Sequence, residues 1–208
     1  MDAARQNALP LVPTAPHDTF TLGDGWRRHP FRVAGRTGAF VFLMLVALVD
    51  YFLRIRLRGH TGSPRRRAEW HELWSRRYLR ALGVEVTVAG RPPERGVLVS
   101  NHLGYIDVLV LGSILPLVMV AKQEVRSWPL VGWLCRCAGV IFLIRERRRD
   151  LLRVIAAFPP AVAEGAVVGF YPEGTSTNGT VVLPFKSSLF APPVRSQWPV
   201  TAAHVSFS

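Results

Sequence analysis

A histidine and an aspartate five positions apart are the first pair in this chain able to do acid–base chemistry. They are His102 and Asp107, in Asn101-His102-Leu103-Gly104-Tyr105-Ile106-Asp107. A carboxylate on one imidazole nitrogen fixes the tautomer and stabilises the cation that forms, so the other nitrogen can take a proton from a hydroxyl. This is the base-and-orienter half of a nucleophilic triad, and the nucleophilic oxygen can then belong to a substrate. The spacing sets a geometric condition. Five residues along one straight helix turn through about 500°, which leaves two side chains about 140° apart. The pair meets only if His102 lies in a loop and Asp107 in the first turn of the helix after it. Gly104, between them, can take the backbone angles such a bend needs. On spacing alone, a lone His–Asp pair is more often a structural hydrogen bond than a catalytic one.

The flanking sequence supplies the required elements. Residues 96–100 form a short apolar run that reads as a buried strand, and 107–115 suit a helix stopped by Pro116. Upstream, Val84-Glu85-Val86-Thr87-Val88 alternates at period two and reads as another strand. Further strands are expected at 117–121, 140–144, 166–171 and 200–207. Helices are expected at 130–137 and at 148–164, the latter broken near Pro159-Pro160. Strands alternating with helices predict an α/β domain over 83–208: a central mixed sheet covered by helices, with functional residues in loops at one sheet edge. Ser208 follows directly on an expected strand, as it would in a domain truncated at its C-terminus.

Upstream of residue 83 the composition changes. Residues 1–25, with Pro10, Pro13 and Pro16 among small and polar residues, read as a flexible N-terminus. Thr37 through Val49 are 13 residues without a charge, flanked by Arg27, Arg28, Arg32 and Arg36 on one side and Arg54, Arg56 and Arg58 on the other. A spanning helix needs about 20 apolar residues. Basic residues at both ends favour keeping both ends on the cytoplasmic side. The expectation is a helix dipping into one leaflet and anchoring a membrane-associated segment over 26–82. Within it, 65–82 reads as a helix whose Trp70, Trp74, Tyr78 and arginines suit the headgroup region of an anionic membrane. The net charge of +12 calls for an anionic partner. No helix-turn-helix, zinc finger or aromatic strand motif accompanies that charge, so no nucleic acid is expected. Cys135 and Cys137 are too few and too close for a disulfide framework or a metal site, and read as packing residues of a reduced, cytoplasm-facing protein. No metal is expected.

Two more blocks follow the first in order, Phe142-Leu143-Ile144-Arg145 and Tyr171-Pro172-Glu173-Gly174-Thr175, with Val120-Ala121-Lys122-Gln123-Glu124-Val125 lying between the first and these. Together with Asn101-His102 and Asp107 they resemble the glycerolipid acyltransferases, and within them the 1-acylglycerol-3-phosphate acyltransferases. Trp198-Pro199-Val200 is similar to that family's fourth block, and the resemblance covers about residues 65 to 205. It implies acyl transfer from a thioester, acyl-CoA or acyl-acyl carrier protein, to the free hydroxyl of lysophosphatidate, with no cofactor. His102 would be the general base and Asp107 its orienter, with Asn101 beside them in the substrate-binding set. Arg145 would hold the acceptor's phosphate through its guanidinium fork. Glu173, Gly174 and Thr175 would shape the acceptor pocket. The chain has two lysines, Lys122 and Lys186, against 24 arginines, and both lie near these loops. Compact ammonium charges suit phosphate, so both join the expected substrate-binding residues. Leu183-Pro184-Phe185-Lys186-Ser187-Ser188 is similar to the lyso-ornithine branch of the family, which leaves another lysolipid acceptor open. The alternative of another class is a non-catalytic protein that binds anionic membranes; such a module has no need of His102, Asp107, Arg145 and Glu173 together.

Overall fold

The computed structural model describes residues 30–144 and 147–207. Two helices lead the fold. Helix α1 spans Pro30–Tyr51 and continues as a π-helical turn over Phe52–Arg56; α2 spans Pro64–Leu82. Ser63 caps α2, accepting from the Arg66 N–H at 3.2 Å, with Pro64 in the first turn. Gly83, at φ 71°, ends it.

The sheet is built from β1 (Val97–Ser100), β2 (Leu117–Lys122), β3 (Ile141–Leu143), β4 (Val167–Phe170) and β5 (Val200–Ala203), in the order β3-β2-β4-β1-β5. The expected helix-covered α/β sheet is present, and each pairing in it is parallel rather than mixed. Parallel neighbours need crossovers instead of hairpins, and each link between successive strands carries helix. The links are α3 (Ile106–Gly112), α4 (Val131–Cys137), the pair α5 (Arg148–Ala156) and α6 (Phe158–Ala163), and α7 (Ala191–Ser196). The expected break at Pro159-Pro160 is the α5–α6 junction, where both prolines sit in the first turn of α6. There a missing N–H costs nothing.

Alternate strand residues face opposite ways. Val97, Val99, Val118, Val120, Val168 and Phe170 pack beneath Val154, Phe158 and Ala161 of α5 and α6. Leu98, Leu117, Met119 and Val167 pack against Leu111 of α3, with Leu115 and Val205. Burial on both faces explains why these strands read as continuous Val/Leu runs. Two neighbouring strands send their chains in different directions. β1 passes its chain to α3 on one face, whereas β4 passes its chain to Leu189 and Phe190 on the other. Diverging exits of this kind open a crevice at the carboxyl ends of the strands.

One expected strand is absent. Residues 84–88 keep the alternation, with Val84 and Val86 half-buried and Glu85 and Thr87 exposed, but pair with no strand among the described residues. Period-two burial needs only a surface on one side; a strand also needs a backbone partner, which the side-chain pattern does not specify.

Helix α1 extends well beyond the 13-residue charge-free run. Pro30–Arg56 is 27 residues, long and apolar enough to cross a membrane by length and composition. Met44, Ala47 and Ile55 are buried against α2 and α4, whereas Phe42, Leu45, Val49 and Leu53 face outward. Phe40 meets Tyr78 and Tyr51 meets Trp70 edge-on, at 5.2 and 5.3 Å between ring centres. Asp50 fastens the pair of helices. Its Oδ2 accepts from the indole N–H of Trp70 (3.1 Å) and of Trp74 (2.9 Å), and its Oδ1 takes Arg54 at 2.6 Å. That network explains how a carboxylate is tolerated within an apolar helix.

Candidate active site

β1 ends at the buried Ser100, the chain turns through Asn101–Tyr105, and α3 begins at Ile106. Asp107 therefore stands in the first turn of a helix and His102 in the loop before it, the arrangement the spacing demanded. His102 Nδ1 lies 3.0 Å from Asp107 Oδ2. The same oxygen accepts from the backbone N–H of Leu103 (2.5 Å) and Gly104 (2.9 Å). Asp107 is fully buried, at 0% exposure, and a carboxylate in that position is costly unless hydrogen-bonded. Three N–H donors on one oxygen supply the compensation; Oδ1 has no partner among the described residues. Because an ionised carboxylate only accepts, the bond assigns the proton to Nδ1 and leaves Nε2 as the basic nitrogen.

Tyr171, the residue after β4, stacks on that imidazole with ring centres 3.9 Å apart and planes 9° from parallel. Its hydroxyl is buried without a partner among the described residues. Burial, and secondarily the Asp107 carboxylate, push the phenol well above its ordinary pKa, so it stays neutral. Thr177 N–H donates to His102 O at 2.8 Å, so the β4 loop holds the histidine by ring and by backbone.

Gly174 takes φ 74°, a left-handed value that favours glycine, and its N–H closes a turn on Tyr171 O at 3.0 Å. Glu173 is buried, and its Oε2 accepts the Leu183 N–H at 3.1 Å. The Lys186 N–H donates to Pro172 O at 2.9 Å. The 183–186 segment is thus stitched onto the Pro172–Glu173 turn, and Glu173 spends one oxygen doing so. Thr175, half-buried, stands in the same turn.

The remaining expected residues divide. Asn101, expected among the substrate-binding residues, has its carboxamide engaged with backbone. Nδ2 donates to Val205 O (2.9 Å) and Oδ1 accepts from Val205 N–H (2.8 Å), because one donor and one acceptor match an open peptide edge. Lys122 ends β2, exposed, on a strand separated from β1 by β4. The Lys186 side chain is also exposed. Neither ammonium has an ion-pair partner among the described residues. Arg145 lies outside the described residues. Its neighbour Ile144 helps line an open cavity of about 490 Å³ with Gln123, Glu124, Arg126, Ser127 and Arg136. Tyr105, in the His102 loop, meets Trp128 edge-on at 5.0 Å.

The contact of Tyr171 with His102, and the placing of Arg126 and Arg136 at the cavity, carry no local sequence signal. An aromatic at the end of a strand signals burial, and nothing local signals the imidazole it meets. Cys135 and Cys137 are free thiols, and burial pushes each up to about 11, so both stay protonated as packing residues.

Comparison with known proteins bears on this geometry. The lyso-ornithine lipid O-acyltransferase of Rhodobacter capsulatus is 36% identical over 171 residues, 77% of this chain and 59% of that protein. The 1-acyl-sn-glycerol-3-phosphate acyltransferase of Neisseria meningitidis is 36% identical over 138 residues, 64% of this chain and 54% of that protein. The chain thus spans less than two thirds of either relative. The crystal structure of the 1-acyl-sn-glycerophosphate acyltransferase from Thermotoga maritima superposes with a TM-score of 0.51 at 23% identity, over 79% of this chain and 73% of that one, a likeness of fold. The acyltransferase family model matches residues 84–206. That match takes in all five strands and more than half of the 208 residues, so the chain belongs to the acyltransferase family.

Proposed function

We propose that the protein transfers a fatty acyl group from a thioester, acyl-CoA or acyl-acyl carrier protein, to the hydroxyl of a lysolipid at the cytoplasmic face of a membrane. One observation carries the reading: a fully buried carboxylate oxygen on His102 Nδ1, which leaves Nε2 as base at the crevice between β1 and β4. Nε2 takes the acceptor's proton as the oxygen attacks the thioester carbonyl. The tetrahedral intermediate collapses, the C–S bond breaks, and the imidazolium returns the proton to the leaving thiolate. Asp107 stabilises the imidazolium between those steps. Arg145 is the expected ligand for the anionic group of the acceptor's head, a carboxylate in lyso-ornithine lipid or a phosphate in lysophosphatidate, with Lys122 and Lys186 as further cations nearby. The exposed face of α1 and the arginines after it support the membrane association.

For the acceptor we favour lyso-ornithine lipid, the substrate named for the Rhodobacter capsulatus relative, whose similarity extends over 77% of this chain. Lysophosphatidate is the second reading, supported by the Neisseria meningitidis relative and by the order of the sequence blocks. The test is lipid mass spectrometry after expression in cells lacking their own acyltransferase, with thioester consumption assayed on each lysolipid. Acylation of one acceptor that disappears in His102→Ala supports the reading. Wild-type activity that persists in His102→Ala sinks the base assignment, and inactivity on every lysolipid favours a non-catalytic membrane-binding protein.

A further inference from the structure

A second basic cavity lies away from the His102 crevice. It is open, about 280 Å³, and is walled by Arg54, Arg58, His60 and Arg66 over a floor that includes Ile55 and Trp70. It sits where α1 turns back into α2. That turn is tied to the residues just ahead of β4. Ser63 Oγ donates to Glu164 Oε2 at 2.6 Å, and Arg65 Nη1 donates to Glu164 O at 3.4 Å. The cavity is therefore at the amino edge of the parallel sheet, whereas His102 and Glu173 follow the carboxyl ends of their strands. It is not the place where the acyl group moves.

Its charges are unequal. Three guanidiniums face one carboxylate, Glu69. Arg66 Nη1 reaches Glu69 at 3.2 Å, the same carboxylate also takes Arg65 Nε at 2.9 Å, and Arg54 Nε is held by Asp50 at 2.6 Å behind the wall. Arg58 has no counter-ion among the described residues. The arginines that are paired use one N–H group each in those ion pairs, so forked donors remain directed outward. The excess of positive charge, with several guanidinium donors free, suits a phosphodiester, which is anionic and accepts bidentate bonds. The rest of the surroundings are apolar. Phe52, Leu53 and Leu57 stand 47%, 53% and 64% exposed around the same turn. A small soluble phosphate makes no use of that surface; a lipid, with its phosphate joined to ester and acyl groups, uses both halves.

We propose that this cavity binds the headgroup phosphodiester of a membrane phospholipid that is not the substrate, and so sets the depth at which the α1–α2 pair sits in the membrane. The reading is independent of the acyl-transfer chemistry.

Flotation of the purified full chain with vesicles tests it. The vesicles are phosphatidylcholine alone, phosphatidylcholine with phosphatidylglycerol, and phosphatidylcholine with a fatty acid matched for negative charge but lacking phosphate. The variant is Arg58→Gln with Arg66→Gln. The control removes equal charge from exposed sites elsewhere, Arg91→Gln with Arg195→Gln. The cavity variant is expected to lose at least about tenfold in affinity for phosphatidylglycerol vesicles, against about threefold for the control. It should lose no more than the control on the fatty-acid vesicles. Equal losses for both variants on phosphatidylglycerol would overturn the site in favour of diffuse attraction. A cavity-specific loss that is the same on fatty-acid vesicles would overturn phosphate recognition. Displacement of the protein from phosphatidylglycerol vesicles by millimolar glycerol phosphate, with salt held constant, would overturn the lipid as occupant and point to a soluble phosphate. Thermal melting checks that the variants fold, and Arg58→Gln alone provides a variant at a residue with no ion pair among the described residues.

Discussion

Asp107→Asn isolates the carboxylate's charge with little change of shape. In the transition state His102 is a cation with Nδ1 at 3.0 Å from Asp107 Oδ2. At that separation and an effective dielectric of about 20, the attraction is about 5 kcal/mol, equivalent to about 10⁴ in rate. Asparagine keeps an oxygen that can accept the three N–H bonds now made to Oδ2, and neutral bonds of that kind are worth about 1 kcal/mol each. Part of the loss is thereby recovered, and kcat should fall between about 10² and 10⁴-fold. KM for the lysolipid should stay within about threefold, since the carboxylate touches His102 and backbone rather than substrate. The new amide NH₂ takes the place of Oδ1, which has no partner among the described residues, so stability should fall by about 1–3 kcal/mol. Initial rates of thiol release, read beside a melting curve, give all three quantities. A folded Asp107→Asn protein with kcat within tenfold of wild type would refute the orienter role.

Three other outcomes are expected from the geometry. Tyr171→Phe should retain kcat within about threefold, because the lost hydroxyl bonds to nothing described; Tyr171→Leu, which removes the ring stacked on His102, should lower kcat by about 10–100-fold. Asp50→Leu should cost about 2–4 kcal/mol, because the Trp70 and Trp74 indole N–H groups lose their acceptor, and the tryptophan emission should shift to the red. His71 is buried, and burial holds its pKa below the ordinary 6.5. The unfolded chain therefore binds a proton that the folded chain refuses. Wild-type stability should be full above pH 6.5 and decline as the pH falls through that value, and His71→Gln should flatten that part of the curve in pH-dependent melting.

Most helix and strand positions from residue 97 onward were legible because their causes are local; the helix over Ala191–Ser196 was not read. A strand buried on both faces must be a Val/Leu run, as in Val97-Leu98-Val99, and a proline breaks a helical run or opens the next helix, as at Pro159; the helix expected to run to Pro116 ends earlier, at Gly112. The failure at 84–88 is instructive for the same reason, since alternation records a buried side and says nothing about a pairing partner. The extent of α1 was also underread. Counting charges stops at Asp50, whereas the helix passes through it because two indoles and Arg54 satisfy that carboxylate.

At the site, the sequence by itself determined the His102–Asp107 contact. Five residues across a strand–loop–helix turn allow few geometries, and the helix start selects the one in which the side chains meet; Gly104 takes no left-handed angle there, and a Cβ on it would meet nothing within 4 Å. The tertiary structure alone decided the rest. Parallel pairing of β1 with β4 set Tyr171 against the imidazole and divided their exits to open the crevice. The edge pairing of β5 on β1 brought Val205 to Asn101, whose carboxamide clamps that backbone. The return of the chain after Glu173 made that carboxylate an anchor for Leu183. Each of these contacts joins segments distant in sequence, so each depends on which strands become neighbours, a choice made by the burial of the whole sheet rather than by any residue within it.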